Sequence, residues 1–199
     1  MIEIIDNHSV RTDLLGKRPV LDAGARGFRF SKWFAEHGHE TWAIDPSPDM
    51  IGDVSVAHYD RAALVAPSWP NSVGLHLGPD PEAWYVVPGM WRQPGVMVKT
   101  LNLRDHWQGV SGMGCGWDVV KLNIEGAEYD ILAEWPGPIA RQITVSFHEH
   151  TDRRRGDAAI TDIVLHLRKW YYEERHVKDE RYCCGPNFWD SLFVLKELA

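Results

Sequence analysis

A chain of 199 residues with 44% hydrophobic and 25% charged side chains has the make-up of an ordinary globular protein, and one domain over residues 1–199 is expected. The formal charge of −7 is spread along the chain, and basic residues cluster only at Arg153-Arg154-Arg155, which argues against nucleic acid as a partner. The start of the chain lacks the basic-then-apolar order of a signal peptide, no apolar run approaches the roughly 20 residues of a membrane helix, and the three cysteines include the adjacent Cys183 and Cys184. A soluble protein of a reducing, cytoplasmic compartment is therefore expected, with no membrane partner.

Pro19 to Asp22 is a short apolar run ending in an acid and a glycine turn, and Phe28 to His37 then places Phe30, Trp33 and Phe34 at helical spacing. His39 to Asp45 is a second short strand, again closed by an acid, before Pro46-Ser47-Pro48. The pattern is βαβ, hence a parallel sheet. From Asp49 to Pro94 prolines interrupt the signal and leave only short strands near Val73 to Leu77 and Trp84 to Val87, as in a trimmed core with little added lid. Val96 to Leu101 is another strand, Thr100 to Trp107 runs from strand into a brief helix, and Gly109 to Gly116 is a loop. Trp117 to Ile124 forms a central strand, followed through Glu125-Gly126 by a helix over Ala127 to Glu134. Gln142 to Phe147 is a strand, Asp157 to Tyr171 an amphipathic helix, and Ser191 to Leu195 a late strand. The alternation makes the chain α/β, Rossmann-like, with a mainly parallel sheet and helices on both faces.

In such sheets ligands bind beyond the carboxyl ends of the strands, where strand order reverses. The first such end reads Asp22-Ala23-Gly24-Ala25-Arg26-Gly27, in which the small residues let a ligand approach the backbone. Asp22 can accept from a ligand amine or from loop amides, or cap the next helix. The second is Asp45, 23 residues later, able to accept both hydroxyl protons of a ribose or to act as a capping acid. A dinucleotide's pyrophosphate needs G-x-G-x-x-G, and GARGFR lacks two of those glycines, whereas S-adenosylmethionine has no phosphate to cradle. In Asp118 to Leu132 strand periodicity puts Lys121, Asn123 and Glu125 on one face, converging on a reacting centre. Glu125 and Glu128 also suit the first turn of the following helix.

Taken together, VLDAGARGF, AIDPSP, VKTLNL followed by RDHW, DVVKLNIEGAEYDIL, ITVSFHEH and FWDSLFVLK resemble the FkbM family of methyltransferases over roughly residues 18 to 197. The resemblance implies a class I methyltransferase fold with a late antiparallel strand and S-adenosylmethionine as methyl donor. It also implies O-methylation of a hydroxyl on a sugar or small metabolite. By position it assigns Asp22, Gly24, Ala25 and Gly27 to the cofactor loop, Asp45 to the ribose, and Lys121, Glu125, Gly126 and Glu128 to the signature; Arg26 and Ser47, beside them in the chain, are also taken as cofactor-binding candidates. Two positions depart from the family: Arg26 stands where an asparagine is usual, with the glycine one residue early, and Asn123 replaces an aspartate.

Period two puts His148 and His150 on one face after the Gln142 strand. No metal is assigned from this H-x-H pair. His148 suits removal of a hydroxyl proton, since its pKa lies near neutrality, and it also suits a capping role at the strand end. Catalysis is therefore placed on His148, Glu125 and Asn123. Two other functions compete: a catalytically silent cofactor- or nucleoside-binding module of the same fold, and a nicotinamide-dependent oxidoreductase or epimerase. The acceptor's identity and the oligomeric state are left open by the sequence.

Overall fold

The computed structural model describes residues 1–47, 56–76, 85–87, 95–102, 116–148, 157–178 and 188–198. Several expectations lie outside these residues: the helix toward Trp107, the loop from Gly109 up to Cys115, Trp84, Trp91, Glu149, His150, Arg153 to Arg155, Cys183 and Cys184.

The chain opens with an unexpected hairpin, β1 (Ile2–Ile5) and β2 (His8–Arg11), antiparallel and closed by the pair Ile5 and His8. Its two turn residues, Asp6 and Asn7, both have positive φ, 47° and 68°. That is the dihedral pattern of the tight turns whose twist matches paired strands, and Asp and Asn tolerate it better than most residues.

The central sheet has seven strands. From β3 (Val20–Ala23) the chain passes through α1 (Arg29–Glu36) to β4 (Thr41–Ile44) and then to β5 (His58–Asp60) at one edge. It returns to the middle as β10 (Trp117–Leu122) and moves the other way through α2 (Ala127–Ala133) and β11 (Ala140–His148). After α3 (Asp157–Leu167), β12 (Tyr171–Lys178) forms the opposite edge. The last strand, β13 (Phe188–Leu195), inserts antiparallel between β11 and β12, giving the order β12-β13-β11-β10-β3-β4-β5. β5, β4, β3, β10 and β11 are mutually parallel. This is a Rossmann-like α/β sheet, mainly parallel with a late antiparallel strand, as the sequence leads one to expect.

All six residues of β10 are buried, as in a strand covered on both faces. Leu21, Ala23, Val120, Leu122, Ile143, Val145 and Phe147 pack with Tyr129, Ile131 and Leu132 of α2 and Ile160, Ile163 and Val164 of α3 in the largest core cluster. Val20 and Val119, on the opposite face, pack with Phe30 and Phe34 of α1 and with Ile5 and Val10 of the hairpin. The third helix is shorter than the Asp157 to Tyr171 span expected, because Tyr171 already begins β12. That edge strand carries Glu173, Glu174, Arg175 and His176, so its charges hide its periodicity.

Between β5 and β10 the chain does not stay bare. β6 (Ala63–Val65), β7 (Ser72–His76), β8 (Tyr85–Val87) and β9 (Gly95–Asn102) form a second sheet in the order β6-β9-β7-β8. Its apolar side chains, Ala63, Val65, Val73, Leu75, Val86 and Val98, cluster with Ala127 at the start of α2. The strands expected near Val73 to Leu77, near Trp84 to Val87 and at Val96 to Leu101 fall on β7, β8 and β9, whereas β6 and the pairing of the four into a sheet of their own go beyond the trimmed core expected. Among the described residues no helix is long and apolar enough to cross a membrane.

Candidate functional site at the carboxyl ends of the central strands

Strand order reverses between β3 and β10, and the glycine turn after β3 lies there. Gly24 has φ 76°, and a Cβ at that position would stand 1.8 Å from the carbonyl oxygen of Asn123. The two central strands therefore touch backbone to backbone just past their ends, and only glycine fits. Gly24 and Ala25 both donate their N–H to the Ile44 carbonyl, at 2.9 and 3.3 Å, and Phe28 donates to the Ala25 carbonyl, which folds the turn tightly over the end of β4. Ala25 is buried within it. Arg26 and Gly27 are exposed, and Gly27 (φ 79°) opens onto space in which a Cβ would meet nothing.

Asp22 is committed inside the protein. Its Oδ2 accepts from the N–H and the hydroxyl of Ser31 at 3.1 and 2.6 Å, which ties the first turn of α1 to β3, and its Oδ1 accepts from Lys121 Nζ at 2.8 Å. Lys121 also donates to the Gly24 carbonyl at 2.8 Å. Its side chain is 3% exposed and that of Asp22 1%, so a buried ion pair braces the turn from below. Lys121 thus points back to β3 and does not converge with Asn123 and Glu125. Asn123 is half-buried past the end of β10, its N–H donated to the Ala23 carbonyl.

Asp45 follows β4 and is buried. Oδ1 accepts from the N–H of Ser47, itself buried, at 2.8 Å. Burial pushes the Asp45 carboxyl above its ordinary value, against the Ser47 N–H and the charges of Lys121 and Arg26. A buried carboxylate at a strand end can accept the hydroxyl protons of a ligand.

The third group lies across β10 and β11. His148 ends β11 and is 2% exposed. Its Nδ1 meets Glu128 Oε1 at 3.0 Å, its Nε2 meets Glu125 Oε1 at 3.2 Å, and its backbone N–H donates to the same Glu128 oxygen at 2.8 Å. Glu128 is fully buried, and its other oxygen accepts from the N–H of Gly126, the residue that opens α2. Glu125 has φ 53° and Gly126 105°, a reversal that swings the Glu125 side chain toward His148. Burial alone would lower the His148 pKa, but Glu128 and Glu125 overcome it and raise it. Burial would raise Glu128, but the His148 charge and its hydrogen bonds hold it below the usual carboxylate value. Both ring nitrogens of His148 thus face carboxylates, an arrangement that favours the protonated ring.

Sequence reasoning missed His8, brought in by the hairpin. It is 2% exposed, its ring stands edge-on to Phe30 with centroids 5.8 Å apart, and its pKa falls well below the ordinary value through burial and the charges of Lys121 and His148. It also missed Tyr59 on β5, close enough to Asp45 to feel its charge. Among the described residues no group of three His, Cys, Asp or Glu side chains is placed to hold a metal ion.

These shifts set a pH dependence. The stabilisation from His148 is complete below its unfolded value of about 6.5 and is lost as pH rises through its raised folded value. That from Glu128 is complete above its unfolded value and is lost as pH falls through its depressed one. His8, held neutral, withdraws stability as pH falls below about 6.5. Urea denaturation should therefore show lower stability at pH 8.5 than at 6.5, and Glu128→Gln should shrink that difference. An unchanged difference would contradict the assignment.

No protein-family model matches the chain, and no curated protein matches it in sequence. Solved structures similar to it include three methyltransferases. One is a Burkholderia thailandensis 1,6-didemethyltoxoflavin-N1-methyltransferase with bound 1,6-didemethyltoxoflavin and S-adenosylhomocysteine. It has a TM-score of 0.41 and 14% identity, covering 90% of this chain and 71% of that one. A TehB-like SAM-dependent methyltransferase from Corynebacterium glutamicum has a TM-score of 0.41 and 12% identity, covering 92% and 84%. The antibiotic-resistance methyltransferase Kmr has a TM-score of 0.42 and 15% identity, covering 98% and 100%. Likeness at this level decides nothing about chemistry, which rests on the residues themselves.

Proposed function

We propose that the chain is an S-adenosylmethionine-dependent methyltransferase of the FkbM type that methylates a hydroxyl on a sugar or other small molecule. The observation that carries this reading is the pairing, at the switch point, of a tight glycine turn without a pyrophosphate cradle and a buried Asp45 carboxylate at the adjoining strand end. A nicotinamide dinucleotide would meet no three-glycine loop there.

In this reading Asp45 and Ser47 hold the ribose of the cofactor, and Gly24, Ala25, Arg26 and Gly27 line its amino-acid end. Asp22 and Lys121 act from beneath by fixing the turn. When bound, the cofactor supplies a methyl group made electrophilic by its sulfonium. Glu125 would take the hydroxyl proton of the acceptor when that oxygen is methylated. His148 keeps the Glu125 carboxylate in place, with Glu128 as its anchor. Asn123 orients the acceptor or the cofactor amine. Most of the rate then comes from positioning.

A silent binding module of the same fold is the second reading, favoured by Asn123 where an acid would be a better base. Transfer of a labelled methyl group from S-adenosylmethionine to a panel of sugars and hydroxylated metabolites separates the two. The methyltransferase reading expects a labelled product that Glu125→Gln lowers by about 10²–10⁴-fold, the range of general-base effects. Cofactor binding with no product from any acceptor would favour the silent module.

A further inference from the structure

Tyr59 is the middle residue of β5 and pairs in register with Ala43 of β4. Parallel registered residues share a face, so Tyr59 stands on the same side as Ala43 and, two residues on, Asp45. Its ring meets Phe28 edge-on, with centroids 5.4 Å apart and planes at 80°. The pair belongs to a small cluster with Ala25, Ala43 and Val56, apart from the main cores.

The Tyr59 hydroxyl is shielded from solvent and has no hydrogen-bond partner among the described residues. A buried O–H without an acceptor is unfavourable and uncommon in native proteins. Burial and the nearby Asp45 charge push its pKa up, so it remains a donor. Adjacent strands thus present a donor, Tyr59, and an acceptor, Asp45, that are not bonded to each other. A ligand hydroxyl answers both, since it donates and accepts at once. A carboxylate alone would not need a second residue here.

We propose that Tyr59 is a ribonucleoside-binding residue, its phenol donating to a ribose oxygen whose own proton goes to Asp45, with Phe28 and the Tyr59 ring forming an aromatic wall of the subsite. This rests on the reading that the ends of β3 and β4 take an adenosine-bearing cofactor, and it adds a residue that selects for ribose hydroxyls.

The test is calorimetric titration of the whole chain with S-adenosylhomocysteine, adenosine, 2′-deoxyadenosine and 3′-deoxyadenosine, using wild type, Tyr59→Phe and Asp45→Ala. Tyr59→Phe removes one oxygen atom and keeps the ring, and its thermal midpoint should match or exceed the wild type, because an unpartnered hydroxyl is lost. The proposal expects it to weaken adenosine and S-adenosylhomocysteine about tenfold, the scale of one hydrogen bond, and to narrow the preference for adenosine over the deoxynucleosides. Unchanged affinity in Tyr59→Phe, with affinity lost in Asp45→Ala, would overturn the role of Tyr59 and leave the cofactor reading standing. Absence of binding by the wild type would overturn both.

Discussion

Lys121→Met is expected to lower folding stability by about 3–5 kcal/mol, the cost of leaving a buried charge without its partner. Asp22 would retain the two donors of Ser31 but lose its counter-ion in a site from which water is excluded. The Gly24 carbonyl would also lose the ammonium that holds it. Because the penalty belongs to the orphaned carboxylate, removing that charge as well should restore part of the loss. The double variant Asp22→Asn/Lys121→Met should therefore be more stable than Lys121→Met alone. Urea denaturation at neutral pH measures both. A Lys121→Met change under about 1 kcal/mol, the typical scale of an exposed ion pair, would contradict the brace.

Gly24→Ala is expected to exceed about 4 kcal/mol, in the range reserved for a few severe mechanisms. The left-handed φ of 76° accounts for about 1–2 kcal/mol for any residue with a Cβ. The remainder comes from the methyl group meeting the Asn123 carbonyl oxygen at 1.8 Å and its carbon at 2.7 Å. Both atoms are backbone at the centre of the sheet, so relief requires β3 and β10 to part. Gly27→Ala is the control. Its φ of 79° is equally left-handed, but the added Cβ meets nothing within 4 Å, so only about 1–2 kcal/mol is expected. Thermal denaturation of the two variants should rank Gly24→Ala far below Gly27→Ala, and the reverse order would show that the close approach is misjudged.

The β3-α1-β4 unit and the β10-α2-β11 unit are legible in the sequence because their strands are buried on both faces and their turns carry glycine. The hairpin, β5, β6 and β12 are not, each for a physical reason. Asp6-Asn7 is a turn signal without the usual glycine. β5 and β6 are three residues long. β12 pays for its place at the edge with charges that mask alternation.

The site was legible by position more than by role. The stretch from Asp22 to Gly27 and Asp45 do lie at adjoining strand ends, but sequence cannot show that Asp22 spends both oxygens on Ser31 and Lys121. Period two placed Lys121, Asn123 and Glu125 together, yet β10 ends at Leu122 and the positive φ of Glu125 turns it toward His148 instead. Glu128 read as a helix-start acid, and it is one in part, since it accepts from the Gly126 N–H. Its second partner, His148, comes from a strand 20 residues on. Tyr59 sits in a three-residue strand with no pattern around it, and only its buried hydroxyl marks it.

The measurement that bears most directly on the whole account is calorimetric titration of the purified chain with S-adenosylhomocysteine, with NAD as the competing ligand and Asp45→Ala as the variant. The account predicts binding of S-adenosylhomocysteine, no displacement by NAD and loss of affinity in Asp45→Ala. No binding, or preference for NAD, would contradict it.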